Sequence, residues 1–338
     1  MVNVEEHRKA QRADGAATVL AIGTANPPPS PQFASFHPLD FRPRPKRSEA
    51  RCCSFGRFDP LGVASVNSWS APRLGSRSAT CSFLTKERLK ANPSLYTYMA
   101  PSLAARQDIA LEEIPSGGQP VSRIIHLVFC TSICIDMIGI DLHLKLLNLS
   151  PFVNRVMIYM QGCFAGGTTL RSAKDLAENN CGACVLIVCP EMMSMYFHGP
   201  IRMDPESLVV PALFGDGATT VVIGADPMST ERGLNQLFRA CQSIVPNSMH
   251  ALKGPIHEAG MAIMMSKKIL EFLAGCITYW NTLFYVVHPG GPRILDKMED
   301  DLKLKPEKLR AACHVLREYE NMWSATMFVV LDEIQKSS

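Results

Sequence analysis

The sequence lacks the features that would assign it to several large protein classes. Its 338 residues carry 34 basic and 31 acidic side chains, which leaves a formal net charge of only +3. This near-balance excludes a strongly basic nucleic-acid-binding protein and an acidic solvating tail. No stretch of about 18 residues is free of polar groups, as a membrane-spanning helix would require. We therefore expect neither a nucleic-acid partner nor a membrane span.

Targeting and nucleotide-binding motifs are also missing. Residues 1–15 are polar and charged, unlike a secretory signal, so we expect the 12 cysteines to be thiols of a cytoplasmic protein. The chain has no P-loop, and the Gly215-Asp-Gly217 sequence falls short of a dinucleotide fingerprint. The pair Cys181-Gly-Ala-Cys184 stands without a second pair to complete a zinc site. The sequence therefore predicts no metal site.

Apolar runs alternate with segments of helical spacing along most of the chain. This alternation predicts a layered α/β fold with buried sheets, built as two similar halves. The runs that predict strands or extended segments lie at 19–23, 124–129, 155–159, 185–188, 218–223, 236–244 and 283–287, and the main helical patterns lie at 168–179 and 306–318.

One long segment shows neither the two-residue period of a strand nor the 3.6-residue period of a helix. Serine, proline and glycine interrupt every apolar stretch between residues 32 and 83, and basic residues outnumber acidic ones there. Such composition does not bury enough apolar surface to order a chain. We expect residues 32–83 to be disordered.

Cys163 is the most informative single residue. An apolar run leads into a glycine-flanked turn, then to Cys163, and then to a predicted helix. The sulfur should therefore lie near a helix N-terminus, where the partial positive charge favours the thiolate. A buried core cysteine is the alternative interpretation, because cysteine is commonly buried.

Two further residues could complete a reactive centre. His288 ends an apolar run before Pro-Gly-Gly-Pro and could accept the proton of Cys163. The amide of Asn321 could help to stabilise an oxyanion. Alternatively, His288 is a structural histidine at a strand end and Asn321 is a turn residue. The order Cys, His, Asn is also that of papain-like proteases, but their tryptophan-bearing signature is missing.

Several longer motifs resemble the plant type III polyketide synthases of the chalcone and stilbene synthase family. The similarity covers about residues 7–30 and 84–336, with gaps. The motifs that carry it are Val19-Leu-Ala-Ile-Gly-Thr-Ala-Asn-Pro27, Tyr98-Met-Ala-Pro-Ser-Leu103, Gln161-Gly-Cys-Phe-Ala-Gly-Gly167, Ala212-Leu-Phe-Gly-Asp-Gly-Ala218, His288-Pro-Gly-Gly-Pro292 and Tyr319-Glu-Asn-Met322.

The resemblance implies a homodimer with a thiolase-like αβαβα fold that condenses malonyl-CoA units onto a starter acyl-CoA. Its N-terminal half would be residues 1–225 and its C-terminal half residues 226–338. Cys163 would carry the acyl group, while His288 and Asn321 would stabilise the enolate and the thioester oxyanion. This chemistry uses CoA thioester substrates and needs no metal or redox cofactor.

The resemblance also implies a substrate cavity. Phe214 would be a gatekeeping phenylalanine, and Met137 would reach into the partner's cavity. Large side chains replace smaller ones at three cavity positions, and an isoleucine replaces a second gatekeeping phenylalanine. The remaining positions that the resemblance assigns to the cavity are Ser132, Met193, Tyr196, Gly215, Ile263 and Trp323.

The sequence departs from the family pattern in other places. Glu320 replaces the glycine expected before Asn321, and the chain stops at Ser338, before the family's C-terminal Gly-Phe-Gly-Pro-Gly loop. We therefore expect the C-terminal half to be incomplete. A catalytically impaired homologue or pseudogene product, acting at most as a dimer partner, is the main alternative function. A fatty-acid-type ketoacyl synthase is another.

Overall fold

The computed structural model of this chain describes a core of strands and helices. The interpretation that residues 32–83 are disordered concerns a segment outside the described residues. Within the described part, no helix is long and apolar enough to cross a bilayer. The described residues are 11–25, 123–132, 149–191, 213–227, 229, 233–254, 256–257, 260–261, 263–265 and 285–337.

Six strands of the described part of the chain form one mixed sheet. Their bounds are Thr18–Ala25 for β1, Ile124–Thr131 for β2, Asn154–Tyr159 for β3, Cys184–Glu191 for β4, Gly217–Gly224 for β5 and Asn235–Gln236 for β6. In spatial order the sheet runs β3-β2-β4-β5-β1-β6. Strand β2 pairs in parallel with β3 and β4, whereas β5 is antiparallel to both β4 and β1, and β6 is antiparallel to β1.

The central strands are buried along their whole length because both faces of the sheet are covered. Every residue of β4 and β5 is buried. Near-continuous apolar runs of this kind are typical of strands packed between two layers. The sheet prediction from the five apolar runs between residues 19 and 223 is confirmed, with each strand extending a few residues further than its run.

Helices cover one face of the sheet. Helix α1, Ala165–Glu178, packs on β2, β4 and β5, and α4, Thr326–Lys336, packs on α1, β1 and β5. Two further helices, α2 at Pro292–Leu302 and α3 at Arg310–Tyr319, complete this layer and share its apolar core. Residues from both predicted halves of the chain therefore contribute to one core.

Some predicted elements differ from the structure. In the region 236–244, only Gln236 belongs to a strand, and residues beyond it are mostly exposed. Residues 285–287 form no strand. Helix α2 begins at the proline of the Gly-Gly-Pro sequence, which the sequence analysis interpreted as the end of an element. Proline favours this position because its fixed φ suits the first turn of a helix. Four two-residue strands are also present, β7 at Leu252–Lys253, β8 at Ile256–His257, β9 at Gly260–Met261 and β10 at Met264–Met265.

Helix α1 contains two adjacent glycines that should respond oppositely to a methyl group. A Cβ on Gly166 would lie 2.6 Å from the carbonyl oxygen of Ser324, whereas a Cβ on Gly167 would meet nothing within 4 Å. Gly166→Ala should therefore lower the free energy of unfolding by about 1–3 kcal/mol through overpacking. Gly167→Ala should raise it by about 0.5–1 kcal/mol, because alanine favours the helix. Urea denaturation of both variants checks this, and equal effects would contradict the close packing at Gly166.

Candidate active site

The turn after β3 positions Cys163. Met160 and Gly162 both adopt left-handed conformations, with φ of +55° and +67°, and reverse the chain between β3 and α1. Cys163 lies in a single 3-10 turn, Gly162–Phe164, immediately before α1. The predicted order of strand, glycine turn, cysteine and helix is therefore confirmed.

The surroundings of Cys163 favour the protonated thiol. Burial raises the pKa of Cys163 to about 12, and the negative charge of Glu191 acts in the same direction. The hydrogen bond with Asn321 lowers this pKa but only in part. The helix N-terminus is expected to favour the thiolate of Cys163, whereas desolvation of the charged form acts in the opposite direction and raises the pKa.

Asn321 is held beside Cys163 by its backbone. Its N–H donates to the carbonyl oxygen of Leu213 at 3.0 Å, and its own carbonyl accepts from the N–H of Gly215 at 3.0 Å. These bonds form a parallel bridge between Asn321 and Phe214. A side chain on Gly215 would not fit here without a shift of the backbone, because a Cβ would lie 2.9 Å from the carbonyl oxygen of Tyr319. Gly215 therefore lies against the asparagine loop.

The orientation of the Asn321 amide follows from its neighbours. The backbone N–H of Trp323 donates to Oδ1 of Asn321 at 3.0 Å. Since a backbone N–H cannot accept, the atom it contacts must be the amide oxygen. The Nδ2 group consequently faces Sγ of Cys163 at 3.7 Å and the carbonyl oxygen of Gly290 at 3.4 Å. An N–H donor is thus directed at the space above the sulfur.

His288 lies near this centre through the turn that follows it. Gly290, two residues later, accepts the hydrogen bond from Asn321. Both ring nitrogens of His288 are shielded from solvent and have no hydrogen-bond partner among the described residues. Burial lowers the pKa of His288 to about 4, so its imidazole is neutral at physiological pH. A neutral imidazole can accept a proton, as a general base must.

An apolar wall lies beside Asn321. The rings of Phe214 and Trp323 lie 4.5 Å apart between centroids, and both side chains are about 5% exposed or less. The Trp323 ring also contacts Gly162, since a Cβ there would lie 3.0 Å from Cζ3. Ile263 and Cys163 pack against the same cluster. The structure thus brings together four of the residues that the sequence assigned to the site and its cavity.

Glu191 is a site residue that the sequence analysis missed. It is the last residue of β4 and fully buried, yet it accepts hydrogen bonds from Ser132 and Ser324. Burial raises its pKa to about 7, and the serine hydrogen bonds lower it in part. A carboxylate at the end of an otherwise apolar buried strand was the signal available in the sequence, since unpaired burial of that group is costly.

Three predicted cavity residues, Met137, Met193 and Tyr196, lie outside the described residues, so their place in the cavity stays a prediction. The Cys181–Cys184 pair is divided between surface and core, with Cys181 exposed and Cys184 buried. In the part of the chain that the structure describes, no three His, Cys, Asp or Glu side chains are grouped to hold a metal ion.

The residue before Asn321 is strained. Glu320 has φ of +66° and ψ of −166°, a region that essentially only glycine occupies. It ends helix α3, and its N–H still donates to the carbonyl of Leu316 at 3.2 Å. The strain therefore falls at the point where the chain turns from the helix towards Asn321.

Replacing this residue should release the strain. Glu320→Gly is expected to raise the free energy of unfolding by about 1–3 kcal/mol, because glycine adopts this conformation freely. The matched control is Glu318→Gly, at an exposed position within α3, which should lower stability by about 1 kcal/mol. Urea denaturation measures both, and destabilisation by Glu320→Gly would refute the assignment of strain.

Comparison with known protein families agrees with this geometry. Residues 77–227 match the family model of the N-terminal domain of chalcone and stilbene synthases. Residues 236–338 match the model of the C-terminal domain of the same family. The two matches cover most of the chain and include Cys163, His288 and Asn321. The family implies a thiolase-like α/β fold, with which the mixed sheet and its helices are compatible, and acyltransferase chemistry. The chain therefore belongs to the chalcone and stilbene synthase family.

Proposed function

We propose that this protein is an acyltransferase of the type III polyketide synthase class, which condenses malonyl-CoA with an acyl group carried on Cys163. The observation that carries the proposal is the amide of Asn321, whose Nδ2 lies 3.7 Å from the sulfur. A donor at this position can bind the oxygen of a thioester formed on Cys163 and stabilise it as negative charge develops.

In the first step, Sγ of Cys163 attacks the carbonyl carbon of the starter acyl-CoA. A bond forms between this sulfur and the acyl carbon, and the bond between the acyl carbon and the CoA sulfur breaks. The thiol proton passes to the neutral imidazole of His288 and then to the departing CoA thiolate. Because Cys163 is a thiol and His288 a neutral base at rest, this proton transfer must accompany acylation.

In the second step, malonyl-CoA loses carbon dioxide and becomes the enolate of acetyl-CoA. The enolate oxygen accepts hydrogen bonds from Asn321 and from His288. The enolate carbon then attacks the acyl carbonyl on Cys163, and the bond to Sγ breaks. The products are an acyl-CoA lengthened by two carbons and the thiolate of Cys163, which takes up a proton from water to restore the thiol, and neither a metal nor a redox cofactor takes part.

The apolar wall restricts the length of the acyl chain. Trp323 and Phe214 stack beside Gly162, the residue that precedes the nucleophile. Their rings occupy the space next to the acyl carbon, and tryptophan is the largest side chain available for that purpose. We expect short products, after one or two condensations.

The expected homodimer has a suitable surface at the edge of the sheet. Strand β3 is the outermost strand on its side. Apolar side chains are exposed beside it, Phe152 at 89% and Phe164 at 55%. An edge strand with neighbouring apolar side chains can pair with a second copy and bury them. We therefore propose that two copies associate through β3, and that the protein works in the reducing cytoplasm.

One observation favours the alternative of an impaired homologue that acts as a dimer partner. Among the described residues, no hydrogen bond joins Cys163 to His288. Activation of the thiol then depends on a movement that brings the imidazole to the sulfur. The assay below distinguishes the two functions.

The function is tested with purified protein, malonyl-CoA and a hydroxycinnamoyl-CoA. We expect release of CoA, a polyketide detected by mass spectrometry and an acyl group of the starter on Cys163. Cys163→Ala should abolish all three, since no sulfur remains to accept the acyl group. Cys241→Ala, at an exposed thiol, is the matched control and should behave as the unmodified chain. A folded dimer that produces neither CoA nor polyketide would leave only the dimer-partner function.

Chain length provides a second test. Trp323→Gly removes the ring and suits the local backbone, where φ is +51°. It should shift the products towards longer polyketides by at least one malonyl-derived unit. Trp323→Phe keeps a ring in place and should preserve the short products. Identical product masses for all three proteins would contradict the role of the apolar wall.

A further inference from the structure

Glu191 forms a hydrogen-bonded centre that has no part in the chemical steps above. Its Oε2 accepts from the backbone N–H of Ser132 at 2.9 Å. Its Oε1 accepts from the hydroxyl of Ser132 at 3.2 Å and from the hydroxyl and N–H of Ser324 at 2.5 and 3.4 Å. Four donors thus converge on one fully buried side chain. This number of hydrogen bonds compensates the cost of removing a carboxylate from water.

One arm of this centre reaches the nucleophile. The hydroxyl of Ser132 has a single proton, which it donates to Glu191, so towards a second neighbour it acts as an acceptor. That neighbour is the backbone N–H of Gly162, at 3.0 Å. Gly162 immediately precedes Cys163 in the left-handed turn. The position of the turn is therefore connected to the carboxyl group by two successive hydrogen bonds.

The other arm reaches the oxyanion donor. Ser324 lies three residues after Asn321, and Trp323 between them donates its N–H to Oδ1 of Asn321. The carbonyl of Ser324 also touches helix α1 at Gly166. The Asn321 loop is thus connected to the same carboxyl group that holds the Cys163 turn.

We propose that Glu191 is a positioning residue, which sets the distance between the sulfur of Cys163 and the amide of Asn321 through Ser132 and Ser324. The inference rests on the proposed acyl transfer, in which the amide must meet the thioester oxygen. Misplacement of a catalytic group by about 1 Å can cost on the order of a hundredfold in rate. Substrate affinity depends on other contacts, so the loss should fall on turnover.

The test compares Glu191→Gln with Glu178→Gln. The glutamine at 191 has the same shape but presents an NH₂ group to donors, so at least one serine loses its acceptor. Glu178 is a suitable control because it also accepts a backbone N–H, that of Ala17 at 3.1 Å, away from the site. We expect Glu191→Gln to lower kcat at least tenfold while KM for the starter acyl-CoA changes less than twofold. Glu178→Gln should change neither. A fall in stability with an unchanged kcat in Glu191→Gln would overturn the proposal.

A second measurement does not depend on acyl transfer. Alkylation of Cys163 by iodoacetamide, followed by peptide mass spectrometry, reports the ionisation of the thiol against pH. Removal of the Glu191 charge should shift this profile of Cys163 to lower pH, so that Glu191→Gln reacts faster with iodoacetamide but turns over more slowly. General loosening would also speed the alkylation of the buried thiol of Cys313, which should react unchanged in Glu191→Gln. If the unmodified chain has no acyltransferase activity, the proposed function fails. The proposal for Glu191 has its own test, which does not depend on that assay. It would be overturned if Cys163 had the same alkylation profile in Glu191→Gln as in Glu178→Gln.

The two serines supply a third measurement, which stands even if Glu191→Gln does not fold. Ser132→Ala and Ser324→Ala each remove one hydroxyl arm and should each lower kcat several-fold. Because both act through one carboxyl group, the double variant should lose less than the product of the two separate losses. Fully multiplicative losses would show that the serines act independently, and would overturn the proposal.

Discussion

The site depends first on the backbone pairing between Asn321 and Phe214. Two hydrogen bonds of 3.0 Å join segments more than 100 residues apart along the chain and place the asparagine loop beside the turn that carries Cys163. Gly215 permits this approach because a Cβ there would lie 2.9 Å from the carbonyl oxygen of Tyr319. The cost of the approach is visible in the next residue, since Glu320 is held in a conformation that suits glycine. Everything else in the site is arranged around this contact.

Burial then determines the chemistry of the site at rest. The thiol of Cys163 is protonated and the imidazole of His288 is neutral, because both groups are withdrawn from water. The apolar wall of Phe214 and Trp323 contributes to this dryness. At rest the site therefore holds no thiolate at Cys163. In the proposed reaction the thiol proton moves to His288 only when an acyl-CoA is bound. A dry site also strengthens each hydrogen bond made to a developing oxyanion.

The sequence predicted the sheet well and the C-terminal region less well. The runs that became β2, β4 and β5 are mainly apolar, and the complete burial of β4 and β5 agrees with that signal. The region 236–244 is also apolar in part, but few strands of the described structure are available to pair with it. Helix α2 was missed because its Gly-Gly-Pro start was interpreted as the end of an element. Local pattern identifies apolar segments, whereas pairing partners decide which of them become strands.

By itself, the sequence determined the family and predicted Cys163, His288 and Asn321 as the reactive residues, because these rest on residue type and on short motifs. It also determined the turn that places the cysteine at the start of α1, since glycines and an adjoining apolar run are local signals. Only the tertiary structure decided that Asn321 directs its amide at the sulfur, that Cys163 is a thiol and that Glu191 joins the two segments. Those properties arise from burial and from hydrogen bonds between distant parts of the chain, and neither is encoded in local spacing.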